Sequence, residues 1–210
     1  MGFYQDRIVP YLIHMSMRQE TLAVYRERVV SAAAGRILEI GIGSGLNLRH
    51  YSDNAHHVIG LDPSTKLLAM AAKAERRSSL SVELVKGSAE VIPMENDSVD
   101  TVVTSWTLCT IPDVNHALLE MRRVLKPTGH LLFVEHGRSP DANVQRWQDR
   151  LNPIWKRIAG GCHLNRTINH LIEAAGFRIE RLETGYMKGP KPMTFMYEGA
   201  ARPHDEKAVW

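Results

Sequence analysis

Residues 36–45, RILEIGIGSG, decide the fold, because a short apolar run leads directly into three glycines. The apolar run is typical of a strand that is buried on both faces of a parallel sheet. The glycines Gly41, Gly43 and Gly45 let the backbone turn sharply and approach a ligand closely, since they carry no Cβ. The sequence therefore predicts a strand that ends at a ligand-binding turn, from which residues 46–51 open a helix.

A second apolar run, residues 58–61, ends on Asp62, 17 positions after Gly45. A carboxylate at the tip of a second strand is placed to accept hydrogen bonds from ribose hydroxyls, as in nucleotide-binding βαβ units. A dinucleotide fingerprint would need glycine at position 46, where this chain has Leu46, and no Lys-Ser or Lys-Thr pair follows as in a P-loop. A P-loop is therefore excluded, and an NAD-dependent oxidoreductase is the weakest enzyme alternative.

The composition is that of an ordinary globular protein of one domain, with 210 residues of which 44% are hydrophobic and 7% aromatic. The net charge is +3 and the basic residues are scattered, so nothing argues for nucleic acid as a partner. The apolar stretches are too short to span a membrane, no secretory signal is visible, and two cysteines make no disulfide framework. We expect a cytoplasmic protein without an integral membrane segment, and the oligomeric state is left open.

Strand and helix patterns alternate from residue 36 onward, which predicts a parallel sheet with helices on both faces. The side-chain oxygens of Ser64 and Asp113 are placed to cap two of the helices. The seven predicted strands are residues 36–40, 58–62, 81–86, 99–105, 130–135, 177–183 and 193–201.

The region from Arg36 to Glu135 resembles the class I S-adenosylmethionine-dependent methyltransferases of the methyltransferase type 11 kind. Their first motif has the form E-x-G-x-G-x-G, which Glu39 and the three glycines match in place. The pieces SAEVIPMENDSVD (residues 88–100) and RRVLKPTG (residues 122–129) follow in the family's order. The resemblance implies an α/β, Rossmann-like sheet of seven mostly parallel strands with helices on both faces and an antiparallel last strand. It also implies S-adenosyl-L-methionine as the methyl donor.

The same resemblance implies donor contacts. In the family, the loop after the third strand carries an acidic residue that meets the adenine amino group; Ser88 holds that place here. A serine hydroxyl accepts from an amine more weakly than a carboxylate does, so we expect contact by Ser88 or by the backbone of Ala89. The loop after the fourth strand lies beside the methionine portion in the family. The expected donor-binding residues are Glu39, Gly41, Gly43, Gly45, Asp62, Pro63, Ser88, Ala89, Glu90, Ser105 and Trp106.

His136 is the candidate catalytic residue, because it stands at the carboxyl end of the fifth strand, where open α/β sheets bind ligands. Methyl transfer to a thiol, hydroxyl or ammonium needs a group that takes a proton or stabilises the deprotonated form. His136 is therefore a general base or positions the acceptor, or else it bonds a loop carbonyl. Cys109, in an apolar run, is expected to be a buried small residue rather than a nucleophile. Two adjacent candidate ligands, Cys162 and His163, lack a second pair, so no metal site is expected.

The tail carries three further motifs: VEH at residues 134–136, W-x-x-x-L-x-P-x-W at 147–155 and G-C-x-L-x-R at 161–166. They resemble the small methyltransferases related to the mammalian microsomal alkyl-thiol S-methyltransferases. This resemblance implies a small, fairly apolar methyl acceptor, with thiols favoured. A quinone-precursor C-methyltransferase, a phospholipid N-methyltransferase and a non-catalytic S-adenosylmethionine-binding module remain as alternatives, because all would share the donor motifs.

Three parts are expected along the chain. Residues 1–34 form an N-terminal helical segment that covers the site. Residues 35–201 form the S-adenosylmethionine-binding methyltransferase domain, and residues 202–210 form a flexible tail.

Overall fold

A computed structural model describes residues 9–76 and 80–204. Seven strands form one sheet, namely β1 (Gly35–Ile40), β2 (Ala55–Asp62), β3 (Ser81–Lys86), β4 (Val99–Ser105), β5 (Leu125–His136), β6 (Phe177–Tyr186) and β7 (Phe195–Pro203). Their order across the sheet is β3-β2-β1-β4-β5-β7-β6. β7 runs antiparallel to both of its neighbours, and the other strand pairs are parallel. The predicted fold class is confirmed.

The described helices are α1 (Val9–Met17), α2 (Glu20–Val30), α3 (Thr65–Glu75), α4 (Val114–Val124), α5 (Ala142–Ile158), α6 (Ile168–Ala174) and α7 (Lys191–Thr194). Both predicted caps are confirmed. Oγ of Ser64 accepts the N–H of Leu67 at 3.3 Å, and Oδ1 of Asp113 accepts the N–H of His116 at 3.1 Å. Each bond satisfies one of the backbone donors that a helix start leaves without a partner.

Successive residues of β1 point to opposite faces of the sheet, and each face carries its own core. Ile37 packs in one hydrophobic cluster with Val29 of α2, while Leu38 packs in the other cluster with Leu118 of α4. Both strand residues are completely buried. Helices therefore cover both faces, and the prediction of a strand buried on both faces is confirmed.

The connection from β1 to β2 contains less helix than the sequence predicts. The helix expected for residues 46–51 is reduced to a single 3-10 turn, Leu48–His50. The side chains of Asn47 and Tyr51 are both held by the buried carboxylate of Glu39. Because Tyr51 already has extended backbone angles, φ −66° and ψ 137°, the helical turn ends at His50.

The connection from β3 to β4, residues 87–98, passes over the sheet without a helix. A cleft of about 380 Å³ lies between this connection and the sheet. The strand residues that line the cleft are two positions apart along each of β1, β2 and β3, so their side chains point to the same face of the sheet. The cleft therefore opens on that face rather than at the carboxyl edge. These residues are Arg36, Leu38, Ile59, Leu61, Glu83 and Val85.

The tail begins later than predicted. Arg202 and Pro203 pair with β6 as part of β7, because the antiparallel ladder continues to the start of β6. Residues 205–210 of the predicted tail and residues 1–8 of the predicted N-terminal segment lie outside the described residues. Within the described parts of the chain, no helix combines the length and the apolar character that crossing a membrane requires.

Candidate active site

The loop after β1 leaves room for a ligand. Gly41, Gly43 and Gly45 have φ angles of 69°, 56° and 76°, in the left-handed region that favours glycine. A Cβ added to Gly41 would lie 2.5 Å from Oγ1 of Thr107, so this glycine lets the turn after β4 pack closely. A Cβ added to Gly43 would meet nothing nearer than the carbonyl oxygen of Gly41 at 3.8 Å. The space beside Gly43 is therefore open.

Asp62 lies at the end of β2 and is joined to this glycine loop. Its Oδ2 accepts the N–H of Gly43 at 3.0 Å, and its Oδ1 accepts the N–H of Ser64 at 2.8 Å. Burial raises the pKa of this carboxyl, although the two bonds act in the opposite direction. An ionised carboxylate offers about four lone-pair sites, so two bonds leave acceptor capacity for ribose hydroxyls. Pro63, the next residue, is exposed.

Glu39 precedes the glycine loop and is almost completely buried, with 1% of its surface exposed. Its Oε1 accepts from Nδ2 of Asn47 and its Oε2 accepts from the hydroxyl of Tyr51, both at 2.8 Å. Burial raises the pKa of Glu39 to about 7, although these two bonds lower it. Both carboxylate oxygens accept from residues that follow the glycine loop in the β1–β2 connection. Glu39 therefore stabilises the conformation of this connection.

Ser105 and Trp106 bring the end of β4 to the same place. Oγ of Ser105 accepts from Nδ2 of Asn47 at 2.9 Å, and the N–H of Trp106 donates to a carbonyl oxygen of β5 at 2.8 Å. Trp106 has a φ of 51°, an unusual value for a bulky side chain, which marks a constrained turn. Asn47 thus links the β1 loop to the end of β4, through its bonds to Glu39 and Ser105.

The loop after β3 is hydrogen-bonded within the protein. The hydroxyl of Ser88 donates to Oε2 of Glu90 at 2.6 Å, and Oε1 of Glu90 accepts the N–H of Asp113 at 2.8 Å. These bonds lower the pKa of Glu90. Ala89 is buried in the core, and a backbone N–H of the loop donates to the carbonyl oxygen of Asp62 at 3.3 Å. The loop therefore lies beside Asp62, and Ser88 keeps a lone pair with which it could accept from an amine.

Glu135, the penultimate residue of β5, is completely buried. Its Oε1 accepts the N–H groups of Thr107 and Leu108 at 2.9 and 3.1 Å. Burial raises the pKa of Glu135 to about 7, although these bonds lower it. Its Oε2 has no hydrogen-bond partner among the described residues. Glu135 thereby fixes the turn that follows Trp106.

His136 ends β5 and meets both cysteines of the chain. Nε2 of His136 lies 2.9 Å from Sγ of Cys162, and these atoms and Sγ of Cys109 all lie within 4.8 Å of one another. We call Cys109, His136 and Cys162 the thiol–imidazole cluster. Burial lowers the pKa of His136, but the bond with Cys162 and the charge of Glu135 outweigh it, so this pKa is raised. The hydrogen bond with Cys109, together with burial, raises the pKa of the Cys162 thiol.

The residue next to Cys162 in sequence lies outside this cluster. The adjacent His163 does not join the cluster, and its backbone N–H donates to the carbonyl oxygen of Cys109 at 2.8 Å. Burial and the charges of Arg166 and Lys156 lower the pKa of the His163 imidazole to about 4. Cys109 is buried, as expected, yet it lies beside a second sulfur and an imidazole.

One side chain of α1 reaches the glycine loop. Nδ1 of His14 lies 2.6 Å from Oγ of Ser44. Nζ of Lys66 lies 4.2 Å from the centre of the Tyr11 ring, which joins α1 to α3. These contacts place α1 beside the loop; that residues 1–34 cover the site stays a prediction.

Comparisons with known proteins agree with this geometry. The family model for a methyltransferase domain matches residues 38–133. A thiol S-methyltransferase of Rattus norvegicus is 34% identical over 151 residues, which are 70% of this chain and 62% of that protein. One of Homo sapiens is 30% identical over 176 residues, which are 81% of this chain and 70% of that protein. This chain belongs to the S-adenosylmethionine-dependent methyltransferases.

Other members of the family carry different names. A demethylmenaquinone methyltransferase of Listeria monocytogenes is 26% identical over 157 residues, 73% of this chain and 63% of that protein. A solved S-adenosylmethionine-dependent methyltransferase of Thermotoga maritima superposes with a TM-score of 0.69 at 21% identity, over 94% of this chain and 99% of that one. The superposition confirms the methyltransferase fold.

The methyl donor of this methyltransferase is S-adenosyl-L-methionine, as the family implies. The residues at the carboxyl edge fit such a ligand. The space beside Gly43 is open, Asp62 keeps acceptor capacity, and Oδ1 of Asn47 is a buried acceptor with no partner among the described residues. An adenosyl ligand with ribose hydroxyls and an amino-acid group has donors for both acceptors.

Sequence reasoning missed several residues that line or support this candidate site. The guanidinium of Arg26 lies 4.6 Å from the centre of the Trp106 ring, and burial lowers the pKa of Arg26 to about 10, although the charge of Glu39 raises it. Arg26 belongs to α2, which is part of the N-terminal segment that was predicted to cover the site, but Arg26 itself was not singled out. Asn47, Tyr51 and Glu135 were also missed. Only Glu135 carried a signal, because it directly precedes His136 at the carboxyl end of a strand.

Proposed function

We propose that this methyltransferase transfers the methyl group of S-adenosyl-L-methionine to the sulfur of a small, fairly apolar thiol. The observation that carries the proposal is the thiol–imidazole cluster, which sets the imidazole of His136 among sulfur atoms at the ligand-binding edge of the sheet. The relatives named thiol S-methyltransferases support the same acceptor class.

On the donor side, we propose that Gly43, Asp62 and the loop after β3 bind the adenosyl group. Asp62 accepts from the ribose hydroxyls, and Ser88 or the backbone of Ala89 accepts from the adenine amine. When bound, S-adenosyl-L-methionine supplies an activated methyl group on a sulfonium sulfur. The family resemblance assigns Ser105 and Trp106 to the side of its methionine portion, and their position at the end of β4, bonded to Asn47 and to β5, is consistent with that assignment.

On the acceptor side, His136 is the proposed catalytic residue. A thiol is a good nucleophile only as its thiolate, so a nearby group must take the proton or hold the sulfur in its deprotonated form. His136 stands at the end of β5, next to the turn that Glu135 fixes after Trp106. It acts either as the general base or by positioning the acceptor sulfur.

The second candidate is a quinone-precursor C-methyltransferase, which the demethylmenaquinone methyltransferase relative favours. The two candidates differ in the acceptor atom. A quinone precursor is methylated at a ring carbon, whereas a thiol is methylated at its sulfur. Turnover of an alkyl thiol, with no turnover of a demethylated quinone, would support the thiol.

The test begins with calorimetric titration of the purified protein with S-adenosyl-L-methionine, its demethylated product and NAD. We expect binding of the two adenosyl ligands and none of NAD. Transfer of a labelled methyl group is then measured with a series of alkyl thiols and the corresponding alcohols. Donor binding without turnover of any thiol would contradict the proposed acceptor, and turnover of no acceptor would leave a donor-binding module.

A further inference from the structure

We propose that the thiol–imidazole cluster is a zinc site. Sγ of Cys109, Nε2 of His136 and Sγ of Cys162 bind one Zn²⁺ ion, and the fourth coordination position takes the sulfur of the acceptor. The assignment of the three protein ligands depends only on the geometry of the cluster. The second part, the nature of the fourth ligand, rests on the proposed function.

The cluster has the size that a zinc ion needs. Its three candidate ligand atoms lie within 4.8 Å of one another, and Nε2 of His136 is 2.9 Å from Sγ of Cys162. In tetrahedral zinc sites, with Zn–S near 2.3 Å and Zn–N near 2.0–2.1 Å, the ligand atoms are spaced about 3.5–3.8 Å apart. The distance from His136 to Cys162 is shorter than these values, and the upper limit for the three pairs, 4.8 Å, is longer. Small side-chain rotations would therefore seat an ion between the three atoms.

The ligands come from three segments that are fixed to one another. Cys109 lies in the turn after β4, whose N–H groups at Thr107 and Leu108 are held by Glu135. The backbone N–H of His163 donates to the carbonyl oxygen of Cys109 at 2.8 Å, which joins the Cys162 segment to that turn.

Arg166 adds a second connection between the same two segments. Its guanidinium donates to the carbonyl oxygens of Leu108 and, at 3.3 Å, of Pro112. A ligand set held in this way is preorganised, so an ion would bind without ordering a loop. Sγ of Cys109 also lies 3.5 Å from the carbonyl oxygen of Trp106 and from Oγ1 of Thr110. A Cys109 thiolate has no proton to donate to that carbonyl oxygen, so zinc binding would replace this weak bond.

The chemistry of the ligand set points to zinc with an open position. Thiolate and imidazole ligands are those that zinc prefers, and three protein ligands with one exchangeable position are typical of catalytic zinc sites. A thiol that coordinates such an ion is deprotonated. In the zinc-bound protein, Nε2 of His136 is a ligand of the ion. His136 then acts by positioning the acceptor sulfur and does not take its proton.

The transfer balances as follows. The acceptor R–SH binds through sulfur to zinc and loses its proton to solvent. A lone pair of that sulfur forms the new bond to the methyl carbon, while the bond from this carbon to the sulfonium sulfur breaks and its electron pair stays with the departing thioether. The methylated product R–S–CH₃ is a weaker ligand than the thiolate and leaves the ion.

The test uses the full chain, treated with a chelator and then titrated with Co²⁺ under reducing conditions. Cobalt in a tetrahedral thiolate site gives a sulfur-to-metal charge-transfer band and strong visible bands, so binding is read without any activity assay. We expect one equivalent to bind and Zn²⁺ to displace it. Cys109→Ser and Cys162→Ser should each weaken binding by on the order of tenfold or more, whereas His163→Ala, next to Cys162 but outside the cluster, should bind as the parent does.

The outcomes separate the two proposals. Absence of the thiolate band, or a band that survives both Cys→Ser substitutions, would overturn the zinc site whatever the enzyme methylates. Donor titration of the same variants shows that they are folded. Addition of an alkyl thiol should shift the cobalt bands, and unchanged bands would overturn the fourth-ligand assignment. Full thiol methylation by the chelator-treated protein would show that zinc takes no part in the reaction, and the proposed function would still hold.

Discussion

The backbone N–H of Gly43 donates to Oδ2 of Asp62 at 3.0 Å, so the glycine loop of β1 and the acidic tip of β2 form one unit. The two motifs are separated by the whole β1–β2 connection in sequence, yet they meet because β1 and β2 are adjacent parallel strands. We therefore propose two functions for Asp62. It offers acceptor atoms to a ligand, and it holds the loop that would contact the same ligand.

Replacement of Asp62 should weaken donor binding. Asp62→Ala removes the proposed bonds to the ribose hydroxyls and the bonds to Gly43 and Ser64. We expect a loss of about 1–3 kcal/mol in the free energy of donor binding, the scale for buried groups left without a partner. Calorimetric titration with S-adenosyl-L-methionine measures it. Asp53→Ala, an exposed carboxylate in the β1–β2 connection, is the matched control. Unchanged affinity in folded Asp62→Ala protein would refute the assignment.

Two glycine substitutions should have different effects. Gly41→Ala and Gly43→Ala both place a side chain at positive φ, which costs about 1–2 kcal/mol of stability. Gly41→Ala also sets its Cβ against Thr107, so it should lower stability more. Gly43→Ala fills the open space beside the loop, so it should weaken donor binding more than it lowers stability. Urea unfolding and calorimetry give the two quantities.

The control for these glycines is Gly185→Ala, because a Cβ added there meets nothing within 4 Å. Both its stability and its donor affinity should stay close to those of the parent protein. If Gly43→Ala bound S-adenosyl-L-methionine as tightly as Gly185→Ala does, the space beside Gly43 would not be part of the donor site.

Local patterns in the sequence were sufficient to predict most of the fold. The strand at Ile37 and Leu38 was predicted from its apolar run, and the helix starts at Ser64 and Asp113 from their capping side chains. These features depend on a few neighbouring residues. The helix expected after Gly45 failed for a different reason. Glu39 binds Asn47 and Tyr51, and no local pattern reveals a tertiary contact of that kind.

The thiol–imidazole cluster could not be predicted in the same way. Cys109, His136 and Cys162 come from three segments, and no short motif joins them. In sequence, Cys162 is paired only with the adjacent His163, and no metal site was expected from that pair. The packed turns bring Cys109 to Cys162 and leave the His163 imidazole outside the cluster. Arg26 was missed similarly, because its ring contact with Trp106 depends on how α2 packs against the sheet.

The stability of the ligand-free protein should depend on pH through Glu39. Its folded pKa of about 7 lies above the ordinary value of 4.5, so the folded state binds the proton more tightly than the unfolded state does. The stabilisation is complete below the unfolded pKa and is lost as pH rises towards the folded pKa. The pKa difference corresponds to about 3 kcal/mol. Glu39→Gln stays uncharged, so its unfolding free energy should fall less.

Urea unfolding of the parent and Glu39→Gln, at about pH 5 and about pH 8, measures this difference. Glu135 also has a raised pKa of about 7, but it is present in both proteins, so it cancels in the comparison. Parallel pH dependence in the two proteins would show that Glu39 is not protonated on folding.

His136→Ala should lower the rate of methyl transfer and leave donor binding nearly unchanged. The imidazole of His136, at the end of β5, contacts Cys162, while the proposed donor contacts lie at the ends of β1, β2, β3 and β4. His163→Ala is the matched control, because it removes a neighbouring imidazole outside the cluster. Single-turnover methylation of an alkyl thiol gives the rate, and calorimetry gives the donor affinity. A His136→Ala rate equal to that of His163→Ala would exclude His136 from the chemistry, whereas equal losses of rate and affinity would place it in the donor site.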